Sequence, residues 1–182
     1  VHPFRFLKWL LKERLLFEKG MLQSSVDRMS KSQEKIENSL NPNSAELQTA
    51  QITISIEIRA ILEAMDDLRS YTESNRNAII LATRTNPETE NQQSRLERYI
   101  EIQRLYDEYV EPARQMIGEN FSEVCDSVMR TIDRTQDSAF FSAEITQLCT
   151  LIRGKILSLR VMVSDAHHDM WNELRNAMEE NK

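Results

Sequence analysis

The apolar spacing of residues 141–179 constrains this chain more than any other feature. Ile145, Leu148, Ile152, Ile156, Leu159, Val163, Ala166, Met170, Leu174 and Met178 follow one another at steps of three or four. That spacing keeps them on one side of an α-helix. No proline interrupts the run between Phe141 and Glu179, and its lone glycine, Gly154, costs about 1 kcal/mol relative to alanine. At about 1.5 Å of rise per residue the helix is roughly 55–60 Å long. A single helix cannot hide such a stripe, so elements of similar length must lie against it.

The rest of the chain supplies them. Its 182 residues suffice for one domain with a sizeable core. Three glycines and four prolines mark few turns, which suits long helices and disfavours a β-sandwich or an α/β fold. The first helix is expected from Pro3 to Asn38, with the stripe Leu7, Leu11, Leu15, Leu22, Val26, Met29, Ile36 and Leu40. Pro3 suits a first turn, where its missing N–H costs nothing. Phe6, Trp9, Leu10, Leu16 and Phe17 add apolar surface on other sides, so this helix is read as burying two faces at its start and a narrow one later. Gly20 marks a bend or a close contact. Asn41-Pro42-Asn43 is a turn, and Asn43 with Glu46 reads as a capping box.

A second helix follows, from about Ser44 to Thr83. Ile52, Ile54, Ile56 and Ile58 alternate with polar residues as in a strand. Leu47, Ile54, Ile58, Ile61, Met65, Leu68 and Ile79 nevertheless fit a helix, and the capping box and the length favour that reading, with isoleucines buried on two faces. Thr85-Asn86-Pro87 is the next turn. A third helix runs to about Ile117 on the stripe Leu96, Tyr99, Ile100, Tyr106, Val110, Ala113 and Ile117. Pro112 kinks or splits it near Tyr109, and Gly118 is a plausible stop. A shorter helix covers Ser122 to Thr135. The fold expected is all-α: an elongated antiparallel helical bundle of three long helices and a kinked or split fourth, four to five helices in one domain over 1–182. The chain opens on Val1 rather than Met, which suggests a fragment of a longer protein.

The net charge of −6 does not favour broad contact with nucleic acid. The charge is uneven: the first twenty residues are basic and the tail from Asp165 is acidic, a hint that the first and last helices lie side by side. No apolar run approaches the roughly 20 residues of a membrane span, and the cytoplasm is the simplest compartment. Cys125 and Cys149 fall on apolar faces and read as small buried hydrophobes, although a disulfide between them stays open.

Chemistry is harder to find. Asp165-Ala166-His167-His168-Asp169 is the nearest thing to a metal box. A carboxylate-bridged di-metal bundle needs a second carboxylate–histidine pair and two more acids, and helical zinc sites need histidines four apart; both are missing. There is no phosphate loop, no nucleophile elbow and no Cys-x-x-Cys. Arg95, Arg98 and Arg104 interleave with Tyr99 and Tyr106 as in single-strand binders, but Glu97, Glu101, Asp107, Glu108 and Glu111 cancel their charge. The expectation is therefore a non-enzyme, with no catalytic residue, metal or cofactor.

The stretch Arg104-Leu105-Tyr106-Asp107-Glu108-Tyr109-Val110-Glu111-Pro112-Ala113-Arg114-Gln115-Met116-Ile117 is the most distinctive of the chain. Its Tyr-x-x-Tyr-Val-x-Pro pattern ending in Met-Ile resembles the helical region of kleisin-type subunits of bacterial SMC complexes, the MukF and Wadjet JetA group. The resemblance covers these residues well and the remaining helices in texture. It departs from the family in lacking a winged-helix pattern. It implies a non-catalytic scaffold that bridges an SMC-like ATPase acting on DNA, in chromosome organisation or plasmid and phage defence. From the residues themselves, the surplus apolar surface names Phe6, Trp9, Leu10 and Phe17 as contacts for a protein partner, or for a second copy in a dimer, with Tyr106 and Tyr109 at the kink. A ligand-sensing or signalling bundle with a cavity between its helices is the alternative.

Overall fold

The computed structural model describes residues 3–83, 92–105, 107–108, 111–138 and 142–180. They form five helices: α1 (Pro3–Asn38), α2 (Leu47–Thr83), α3 (Gln92–Leu105), α4 (Glu111–Asp137) and α5 (Ala143–Glu180). No strand occurs among the described residues. The fold is all-α, as the periodicity predicts.

Four long helices pack in a ring, α1 on α2, α2 on α5, α5 on α4 and α4 on α1. Polar contacts fix their directions. Arg28 meets Asp67 and Lys35 meets Glu57, so α1 and α2 run antiparallel. Arg153–Asp133 and Arg160–Asp126 make α4 and α5 antiparallel in the same way. Between the two hairpins the sense is parallel. Gln33 reaches Ser127 and Glu37 reaches Arg134, while Arg59 pairs with Glu144 and Lys155 with Asp66. Each helix thus has one parallel and one antiparallel neighbour. Helices α2 and α4 stand diagonally, and the segment joining them contains α3, which shares none of these packing pairs. The acidic last helix does not lie beside the basic first one; α5 is α1's diagonal partner, because each is flanked by α2 and α4.

The core follows a seven-residue period. On α1 the buried positions are Leu11, Leu15, Glu18, Leu22, Ser25, Met29, Ser32 and Ile36, alternating steps of four and three as in a coiled-coil seam. One row, Leu15, Leu22, Met29 and Ile36, is apolar throughout. The other begins with Leu11 and continues with Glu18, Ser25 and Ser32. On α2 the seam is Ile54, Ile58, Ile61, Met65 and Leu68, then Thr72 and Asn75. Phe121, Cys125, Val128 and Ile132 of α4 and Ile145, Cys149, Ile152, Ile156, Leu159 and Val163 of α5 complete the core. Each large side chain buried there contributes roughly 1.5–3 kcal/mol.

Several boundaries differ from the sequence reading. Asn43 Oδ1 accepts from the Glu46 N–H at 3.1 Å, but the residues after it form a turn, and α2 starts at Leu47 rather than Ser44. The alternating isoleucines are helical and split by face. Ile54 and Ile58 are fully buried, whereas Ile52 and Ile56 are more than half exposed, so the isoleucines are not buried on two faces. The third helix ends at Leu105 and α4 begins at Glu111, with a wide turn at Asp107–Glu108. Pro112 is the second residue of α4, where its missing N–H breaks no bond within the helix. Gly118 is no stop: α4 runs through it to Asp137. Leu96 and Ile100 are exposed, and among the described side chains of α3 the buried one is Leu105. The Asn86–Pro87 turn lies outside the described residues. Ser142 caps α5, its Oγ accepting from the Ile145 N–H at 3.1 Å. Gly20 sits within α1 with nothing within 4 Å of where a Cβ would stand, so it marks no close contact.

Candidate functional site

Antiparallel pairing of α1 and α2 brings Phe17 against Tyr71, edge to face, with ring centroids 5.9 Å apart. Both rings remain exposed on their outer sides. Trp9 and Leu16 lie seven residues apart, hence on one line of α1, and are 56% and 55% exposed. The start of α1 therefore does not bury a second face. Leu11 and Leu15 point into the bundle, while Trp9, Leu16 and Phe17 point out of it. Geometry explains the division, because a helix in a four-membered ring offers its neighbours one stripe and the rest meets solvent.

Among the predicted contact residues, Trp9 and Phe17 are thus exposed, and Leu10 is half-buried beside them. The Phe6 side chain lies outside the described residues, as do Tyr106 and Tyr109. Sequence reasoning missed Leu16 and Tyr71 as members of the patch. Leu16 was legible, being in the same line as Trp9; Tyr71 needed the α1–α2 register. The exposed residues around the patch are Arg5, Lys8, Lys12 and Lys19 against Glu13, a basic rim on an acidic protein.

Beneath the patch the α1–α2 seam is polar. Glu18, Thr72 and Asn75 are buried. Asn75 donates through Nδ2 to the Arg14 carbonyl at 3.4 Å. Its own Oδ1 and the Thr72 hydroxyl are buried without a hydrogen-bond partner among the described residues.

The other chemical candidates do not converge. Arg104 pairs with Glu101 and, at 2.7 Å, with Glu108. Arg104 thus belongs to an ion-paired exposed face, while the side chains of Arg98 and Tyr99 lie outside the described residues. The side chains of Asp165, His167, His168 and Asp169 lie outside the described residues, and no cluster of three or more potential metal ligands occurs within them. Cys125 and Cys149 are both free and buried. Burial pushes the Cys125 thiol up to about 12, against a smaller opposing effect of the Arg160 charge, and raises Cys149 as well. The α4–α5 ion pairs set Cys125 opposite Val161 and Cys149 opposite Asp137. The two sulfurs are therefore about 18 Å apart along the bundle, too far for a disulfide. No described helix is long and apolar enough to cross a membrane.

The chain matches no protein-family model, no curated protein and no solved structure.

Proposed function

We propose that this protein is a non-enzymatic helical scaffold that holds a protein partner on the outer face of the α1–α2 hairpin. One observation carries the reading: Trp9, Leu16, Phe17 and Tyr71 stand exposed together on two packed helices. Exposed aromatic clusters with a polar surround are the usual anchors of protein interfaces, since they bring large rigid area at little entropic cost. The basic rim selects a partner with acidic residues around an apolar groove.

The resemblance of Arg104–Ile117 to kleisin-type subunits narrows the proposal to a coiled-coil ATPase of the SMC type, acting on DNA that this segment does not itself touch. The break between α3 and α4 falls within that stretch. Co-purification of the native protein, with mass-spectrometric identification of what accompanies it, tests both levels. Trp9→Glu combined with Phe17→Glu is expected to abolish capture while lowering the melting temperature by only a few degrees (about 2–4 °C), through the lost Phe17–Tyr71 contact. Capture that survives the double variant would overturn the docking surface. A captured partner without ATPase coiled coils would overturn the narrower form alone.

A further inference from the structure

The outward face of α5 differs in kind from that of every other long helix. Between Ala143 and Val163 the ionisable side chains of α5 are Glu144, Arg153, Lys155 and Arg160, leaving aside the buried thiol. Each is tied sideways to a neighbour. Glu144 and Lys155 pair with Arg59 and Asp66 of α2, and Arg153 and Arg160 pair with Asp133 and Asp126 of α4. The arc between those two rows of ion pairs carries no charge. Instead it exposes Leu151, Leu157 and Val161, at 52%, 67% and 60%. Gly154 sits among them, with open space where a side chain would be. The outward side of α4, by contrast, carries charge, with Glu119, Glu123 and Arg130 exposed on it.

The geometry points to a second copy of this chain as the occupant of the α5 face, docked antiparallel about a two-fold axis through Gly154. In an isologous contact residue i meets j and j meets i, so the face must match its own reversal. It does. Leu151 and Leu157 are each three residues from Gly154 and meet across the axis. Thr150 and Ser158, each four away, set hydroxyl against hydroxyl. Gln147 and Val161 lie seven away, and the glutamine stem covers the valine. At the axis the two glycines let the backbones approach closely, as small residues do at helix crossings. Self-docking brings any charged side chain on the face close to its own twin, which the uncharged arc avoids and the charged side of α4 does not. The contact falls short of the roughly 800 Å² per partner of a standard interface, so the dimer is weak and depends on concentration. It is independent of the α1–α2 docking surface.

Sedimentation velocity from micromolar to several hundred micromolar protein tests it. The native chain is expected to pass from monomer to dimer over that range. Leu157→Arg, on a side chain that is already exposed, is expected to weaken the dimer by at least about tenfold through an unpaired charge set against Leu151 of the other copy, with its melting curve unchanged. Gly154→Cys places a thiol on the axis, and with diamide added as the two-electron oxidant the two thiols are expected to join in a disulfide-linked dimer. Ser158→Cys, which faces Thr150 rather than itself, is expected to do so at least about tenfold more slowly. The buried native thiols do not compete. A monomer at all concentrations overturns the proposal, and so does equal cross-linking of the two cysteine variants. A dimer that survives Leu157→Arg but is lost in Trp9→Glu moves self-association to the other surface and overturns it too.

Discussion

The two halves of the α1–α2 hairpin divide their apolar surface differently. Toward the turn at residues 39–46, Met29, Ile36, Ile54, Ile58 and Ile61 are fully buried. The exposed side chains there are mostly polar, with Leu47, Ile52 and Ile56 as exceptions. Toward the other end the seam takes in Glu18, Thr72 and Asn75, while Trp9, Leu16, Phe17 and Tyr71 face outward. The same two helices, in one unbroken register, thus put their apolar surface inside in one half and partly outside in the other. Stability belongs to the first half. The second gives up some of it, since buried polar groups without full hydrogen bonding cost free energy, and gains a surface that can hold something else.

Substitutions can break that contrast. Ile58→Ala in the apolar half is expected to cost about 3 kcal/mol, from lost burial and the cavity left behind. Urea denaturation measures it, and a loss below about 1 kcal/mol would mean that this half is loosely packed. Cys125 of α4 packs in the core shared with that half, and its raised pKa links stability to pH. The folded thiol stays neutral while the unfolded one ionises from its ordinary value of 9.0. Stability is therefore complete below about pH 9 and falls as pH rises toward 12, by about 2 kcal/mol near pH 10.5. Urea midpoints should fall more steeply with pH for the native chain than for Cys125→Ala; parallel curves would place the thiol in water. In the polar half the sign reverses. Thr72→Val removes a buried hydroxyl without a partner and keeps the shape, so it is expected to stabilise by about 1 kcal/mol. A loss instead would show that the hydroxyl has found a hydrogen bond. Smallest of all, Trp9→Ala should change stability by less than about 0.5 kcal/mol, because its ring is more than half exposed. A larger loss would make Trp9 part of the core.

Much of this fold was legible in the chain. The limits of α1 came from Pro3 and the turn at Asn41-Pro42-Asn43, and every apolar position of the last helix's stripe whose side chain is described, Ile145 to Val163, is buried as expected. What escaped had physical reasons. Ser25 and Ser32 lie in the α1 seam, but a hydrophobic count cannot see small polar residues that fit a close interface. Ile52 and Ile56 share residue type with Ile54 and Ile58, and only the rotation of α2 against its neighbours tells them apart. Gly118 looked like a stop because glycine often is one, but packing of α4 against α1 and α5 overrides that local preference. The docking patch was half legible. Its α1 members follow from surplus apolar surface, whereas Tyr71 and the polar layer below it depend on a register that no local pattern specifies.

The ring arrangement has a consequence for how the chain is strung. The two hairpins adhere to each other through the α1–α4 and α2–α5 faces, and the segment between α2 and α4 is not part of either contact. Each half carries its own instructions, so a polypeptide severed in that bridge and supplied as two fragments is expected to reassemble by complementation into the same four-cornered body.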